Sequence, residues 1–130
     1  MNDASDCHVI PDVPGVFVDA FRGSYMAQKT KVAANIFILS HYHGDHYGSL
    51  PREGNYQGPA QIHCTEITAA LLVRVHGVSE HLVVAHPLGE TWTIVTSGDG
   101  DANSKELTTT TQITFYDANH CPGAAIILFH

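Results

Sequence analysis

The chain is 130 residues long, with a net charge of −7 and a hydrophobic fraction of 44%. That is one domain at most, large enough to bury a core, with no apolar run near the ~20 residues of a membrane span. It has no basic cluster of the kind that marks a nucleic-acid surface. Three widely spaced cysteines, Cys7, Cys64 and Cys121, argue against a disulfide framework. The acidic, polar start "MNDASDCHVIPD" is no signal peptide, so an intracellular protein is the expectation.

In chain order, residues 1–13 read as a tail. "GVFVDAF" (Gly15–Phe21) alternates apolar and other residues and predicts a strand ending near Asp19. "ANIFILS" (Ala34–Ser40) is a continuous apolar run, the pattern of a strand buried on both faces. "HYHGDHYGSL" follows as a loop leading into a short helical turn. "AQIHC" (Ala60–Cys64) predicts a short strand. "TEITAALLVRVHG" predicts a helix with Thr65 as N-cap, Ile67, Leu71, Leu72 and Val75 as the apolar face, and Gly77 as its end. "HLVVAHPL", "TWTIVT", "QITFYDA" and "AAIILFH" are strand-like. Ser97–Thr111 is polar and turn-rich and reads as an exposed hairpin loop. Its "DGDAN" resembles the opening of a calcium loop, but Ser104 stands where that loop requires glycine and Thr110 where it requires a bidentate acid. The order predicts α/β or α+β architecture with a large sheet.

The chemistry concentrates just past the apolar run, at His41, His43, Asp45 and His46. In extended backbone alternate residues point the same way, so His41 and His43 can face one point, while Asp45 and His46 reach a second where the chain turns into a helix. Neutral imidazole and carboxylate suit zinc. Two metals about 3.5–4 Å apart form an arrangement used in phosphoester hydrolysis, and ligands of open α/β sheets gather beyond the carboxyl ends of strands. One histidine in such a turn is most often a surface residue, but the H-x-H-x-D-H spacing is a ligand pattern. His120, in "DANHCPG", also follows an apolar strand, and beside the first cluster it becomes the third ligand of the first metal.

At these residues the chain resembles a known family. "HYHGDH" is similar to the H-x-H-x-D-H signature of the metallo-β-lactamase fold (an αβ/βα sandwich). "VDAF", "CTEITAALL" and "DANHCPGAAIILF" resemble segments of the DNA cross-link repair nucleases, the β-CASP branch that includes Artemis and Apollo. The resemblance runs from about Pro14 to Phe129. It implies that His41, His43 and His120 bind a first zinc and Asp45 and His46 a second, with Asp45 and His46 the catalytic pair. It also implies that Asp19 supports the ligand histidines from behind. Asp117 is expected to bond the turn around His120, and Cys121 is not expected to act as a nucleophile. Thr65, where relatives place serine, stands at a helix N-terminus that suits a substrate phosphate; its alternative role is a cap alone.

The resemblance further implies a zinc-dependent 5′-exonuclease acting on 5′-phosphorylated DNA in interstrand cross-link repair, in the nucleus, with repair proteins as partners and no membrane. The family's T-G-D aspartate and β-CASP insertion do not occur within these residues. Residues 14–130 are thus expected to be the front half of a metallo-β-lactamase domain, with little nuclease activity alone and an open, apolar face beside the last strand. Much of the basic DNA surface would lie in the other half, which accommodates the acidic balance. Other hydrolases share such a fold (a glyoxalase-type thioesterase, a β-lactamase, an RNA endonuclease), and a non-catalytic module is a further alternative; fold alone does not fix substrate. "DANHCPG" separates the repair nucleases from the other hydrolases.

Overall fold

The apolar triplets "VFV" and "IFI" form the first two strands of a four-stranded parallel sheet: β1 (Val16–Val18) and β2 (Ile36–Ile38), then β3 (Ile62–Thr65) and β4 (Val83–His86), in that spatial order. The structure is a computed structural model that describes Ile10, Val13 and residues 15–21, 36–58, 60–98 and 107–130. Phe17 lies beside Phe37, Phe37 beside Ile62, and Ile62 beside Val83. A second, antiparallel sheet comprises β5 (Thr91–Gly98), β6 (Leu107–Asp117) and β7 (Ala125–Phe129). The short helix α1 (Gly44–Tyr47) follows β2, and α2 (Glu66–Leu71) follows β3 and runs on through a π-helical turn, Leu72–His76. The result is a mixed α/β protein with two sheets rather than one large one.

Alternation along β1 and β2 builds two cores. Phe17, Phe37 and Leu39 pack with Ile62, Cys64 and Leu72 under the helix. Val16 and Ile38 point the other way, to Ile94, Ile113 and Phe115 of the antiparallel sheet, where Val13 is also buried. Each such side chain removed from water contributes about 1.5–3 kcal/mol. Cys64 is in the first core, and burial pushes its thiol up to about 12; it and Cys121 are free.

β1 ends at Val18, beside the predicted end at Asp19, and β2 ends at Ile38, two residues before Ser40. Past those ends Asp19 and Ser40 turn to hydrogen-bond each other's side chains. Thr65 caps α2, its hydroxyl accepting the Thr68 N–H, and Gly77 ends the helix at φ 81°, as predicted. The buried face, however, matches the predicted one only at Leu72, with Leu71 half-buried. Ile67 and Val75 are 51% and 59% exposed, while Thr68, Ala69, Leu72 and His76 are buried. Thr68 and His76 turn inward because their hydrogen-bond partners, the Gly123 and Leu50 carbonyls, lie there.

The predicted loop Ser97–Thr111 is also shorter, since the β5–β6 ladder continues to Ser97–Thr108 and Gly98–Leu107. The run Thr108–Thr111 is β-branched, which favours extended backbone despite its polarity. Asp99, Asp101 and Asn103 of the calcium-like stretch lie outside the described residues. On the antiparallel sheet Val95, Tyr116, Ile126 and Leu128 are exposed, and β7 pairs with β6 on one side. Among the described residues no helix is long and apolar enough to cross a membrane.

Candidate metal centre

Parallel pairing sets the carboxyl ends of β1 and β2 side by side, and the first site residues follow those ends. Asp19 continues the ladder, its N–H donating to the Ile38 carbonyl at 2.9 Å. It then takes φ 55°, a left-handed conformation that aspartate tolerates better than most residues. Its Oδ1 accepts the Ser40 N–H at 2.8 Å and its Oδ2 accepts the Ser40 hydroxyl at 2.6 Å. The same Oδ2 lies 2.7 Å from His46 Nδ1.

This network assigns tautomers. The single Ser40 hydroxyl proton is given to Asp19, so at 2.8 Å Ser40 Oγ accepts a proton from His41 Nδ1. His46 Nδ1 donates to Asp19 in the same way. Both rings are left with Nε2 as the free, lone-pair-bearing nitrogen, the arrangement that outer partners impose on metal-ligating histidines.

His43 adopts the extended conformation of an N-cap residue at α1 (φ −127°, ψ 149°), and its carbonyl accepts the His46 and Tyr47 N–H groups. His120 arrives from the other sheet. Asp117 Oδ1 accepts the Asn119 N–H at 2.8 Å and shapes the turn. The Ala125 N–H donates to the Ser40 carbonyl at 3.0 Å, which ties the start of β7 to the end of β2. Gly123, at φ 87°, rests so closely on α2 that an added Cβ would lie 2.8 Å from Thr68 Oγ1. Its carbonyl accepts the Thr65 and Thr68 hydroxyls at 2.6 and 3.1 Å.

The outcome is a cluster around His41. Its ring centroid lies 4.7 Å from that of His43, 4.0 Å from His46 and 5.0 Å from His120. Two sets of donor atoms converge to within 4.8 Å of one another, His41 with His43 and His120, and Asp19 with His41 and His46. Tetrahedral zinc sites with Zn–N bonds of about 2.0–2.1 Å require nitrogens about 3.3 Å apart, a modest closing of these rings. Burial, then the neighbouring His46 and His43, lower the proton affinity of His41, which favours the neutral imidazole a metal binds. Neutral imidazole with carboxylate suits a divalent first-row metal, so the residues fit one.

The structure therefore brings together His41, His43, His46, His120 and Asp19. Asp45 belongs to neither set; its carboxylate is 82% exposed at the rim, with Oδ2 3.5 Å from His46 Nε2. Thr65 is buried, with its hydroxyl engaged by Thr68 and Gly123. Beside His120 opens a cleft of about 470 Å³ whose walls include Thr65, Glu66, Ile67, Leu88 and Pro122 and, among the described residues, no lysine or arginine. Two histidine arrangements escaped the sequence reading. His76 lies buried behind α1, and His63 pairs with His86 between the sheets, Nδ1 to Nε2 at 2.8 Å. The only signal for either was a histidine inside an otherwise apolar segment.

No family model matches the chain. Among curated proteins it is 37% identical over 95 residues to the DNA cross-link repair protein pso2/snm1 of Schizosaccharomyces pombe, covering 72% of the chain and 14% of that protein. It is 30% identical to the human DNA cross-link repair 1A protein over 126 residues, 95% of the chain and 10% of that protein. Identity to the mouse 5′ exonuclease Apollo is 33% over 121 residues, 93% of the chain and 19% of that protein. The matched part is thus between about a tenth and a fifth of these relatives' length. With similarity spread over nearly all of its residues and shared by several such proteins, the chain belongs to the DNA cross-link repair protein family of SNM1/PSO2 and Apollo.

Proposed function

We propose that the chain carries the metal centre of a zinc-dependent DNA nuclease of metallo-β-lactamase fold, a 5′-exonuclease acting in the nucleus on interstrand cross-link damage. The observation that carries this reading is the convergence of His41, His43 and His120, and of Asp19, His41 and His46, at one strand-end rim next to a cleft. The names of the relatives, cross-link repair proteins and a 5′ exonuclease, support DNA as the substrate. Because the chain spans only a fraction of those relatives, the activity is proposed for the whole protein.

Zinc, when bound, supplies Lewis-acid polarisation of a phosphate and makes water a nucleophile at neutral pH. The rest falls to the chain. His41, His43 and His120 would hold one ion, and Asp45 with His46 a second. Asp19 fixes the His46 ring directly and the His41 ring through Ser40. Asp45, open to solvent at the rim, orients the attacking water and accepts its proton. Thr65 caps α2, whose first residues Glu66 and Ile67 line the cleft, and the first amides of a helix suit a phosphate. With no lysine or arginine among the described cleft residues, anchoring of the 5′-phosphate rests on the ions and these amides.

The test is cleavage of a labelled, 5′-phosphorylated single strand by the whole protein, with and without a chelator. Asp45→Ala is expected to lower the rate by a factor on the order of 10³, since positioning and electrostatics supply most of the rate in phosphoryl transfer, while circular dichroism stays unchanged. Cleavage that survives both the substitution and the chelator would reject the reading.

A further inference from the structure

His76 is 1% exposed, at the end of the π-helical turn Leu72–His76. A buried imidazole needs a partner at each nitrogen. Its Nε2 lies 2.8 Å from the Leu50 carbonyl, which can only accept, so Nε2 carries the proton. Its Nδ1 is then an acceptor, and the Tyr42 hydroxyl donates to it at 3.0 Å. Burial lowers the proton affinity of His76, which is consistent with this neutral form.

Those two partners bracket one segment. Tyr42 stands between His41 and His43, and Leu50 stands four residues past His46. The segment thus has two faces, with His41, His43 and His46 on the side of the metal centre and Tyr42, Tyr47 and Leu50 turned toward the core. The Tyr42 and Tyr47 rings stack at 4.5 Å, and both present edges to His76, at 5.7 and 4.9 Å. The backbone at the same helix end extends the grip. The Glu53 N–H donates to the His76 carbonyl at 3.0 Å and the Gly54 N–H to the Gly77 carbonyl at 2.8 Å. Gly77 combines φ 81° with an approach so close that an added Cβ would lie 2.9 Å from Glu53 Cα and N. π-Helical turns are rare and recur at functional sites.

We propose that His76 is a positioning residue for the metal centre: by donating to the Leu50 carbonyl and accepting from the Tyr42 hydroxyl, it holds the 41–50 segment in the shape that presents His41, His43 and His46 together. The inference rests on the metal-centre reading above. It places a determinant of metal affinity on the far side of the ligand segment, where the ligand motif itself gives no hint of it. Partners that orient metal ligands typically govern affinity by about 10–100-fold, and His76 acts one step further out, through the backbone and Tyr42.

The experiment measures Zn²⁺ affinity by competition with a chromophoric chelator, and the visible spectrum of the Co²⁺-substituted protein. The proteins are the wild type, Tyr42→Phe, His76→Phe, His76→Gln and His41→Ala. Tyr42→Phe and His76→Phe are expected to weaken Zn²⁺ binding by about 10-fold or more and to alter the Co²⁺ bands, with circular dichroism unchanged. His76→Gln keeps an N–H for Leu50 and is expected to return to within about threefold of wild type, a rescue that lost packing alone would not give. Should His76→Phe fail to fold, Tyr42→Phe decides, because it keeps the ring and removes only the hydroxyl. Wild-type affinity and spectrum in Tyr42→Phe and His76→Phe, with binding lost in His41→Ala, overturn the inference and leave the metal centre standing. Wild-type binding by His41→Ala overturns the metal-centre reading itself.

Discussion

Two groups of histidines in this protein share a side chain and little else. At the strand ends, His41 and His46 use Nδ1 on Ser40 and Asp19 and keep Nε2 free, with His43 and His120 beside them. Between the sheets, His63 and His86 use ring nitrogens on each other, and their faces lie flat against Trp92 at centroid distances of 4.8 and 3.9 Å. In the first group the free nitrogens converge on one place, and in the second one nitrogen of each ring is taken up by the other. Local abundance of imidazole therefore does not mark a site. What marks it is whether the partners behind the rings leave one nitrogen of each pointing at the same place.

The comparison breaks first at the metal. His120→Ala is expected to lower Zn²⁺ affinity by a factor on the order of 10³, because on the proposed reading it removes a direct ligand, while His86→Ala leaves it within about threefold. Equilibrium dialysis of both variants checks this, and a comparable loss in His86→Ala would erase the distinction.

Acid sharpens it next. Burial first, then His86, lower His63 from 6.5 to about 4. Between those values the unfolded chain binds a proton that the folded chain refuses, so this contribution to stability is fully present above pH 6.5 and is lost as pH falls toward 4. At about 1.4 kcal/mol per pH unit the loss is on the order of 3 kcal/mol. Burial lowers His86 as well, which adds in the same direction. Urea unfolding at pH 7 and pH 4.5 is expected to show a shallower dependence in His63→Gln than in wild type; equal slopes would remove the inter-sheet pair as the acid-sensitive element.

The smallest effect falls on Ser40, which touches no metal. Ser40→Ala removes the acceptor that fixes His41 Nδ1 and one donor to Asp19. It is expected to weaken Zn²⁺ binding by about tenfold with the urea midpoint little changed. Unaltered affinity would mean that packing alone orients His41.

Much of this was legible in the residues. The alternation in "GVFVDAF", the continuous apolar run in "ANIFILS", the Thr65 cap and the Gly77 end are local signals, and the structure follows them. The clustering of His41, His43, Asp45 and His46 is likewise local, since four ligand-type side chains within six residues must lie near one another whatever the fold. The face of α2 was not legible, because Thr68 and His76 are drawn inward by carbonyls 55 and 26 residues away. The bond of His46 to Asp19 across 27 residues was expected only through the family resemblance, and the pairing of His63 with His86 across 23 not at all. The sequence by itself determined which groups could donate, accept or pack, and where backbone must bend. Only the tertiary structure decided which of them meet, because those meetings depend on parallel strand register and on the Ala125–Ser40 bond that joins the sheets. Neither leaves a trace in any short stretch of residues.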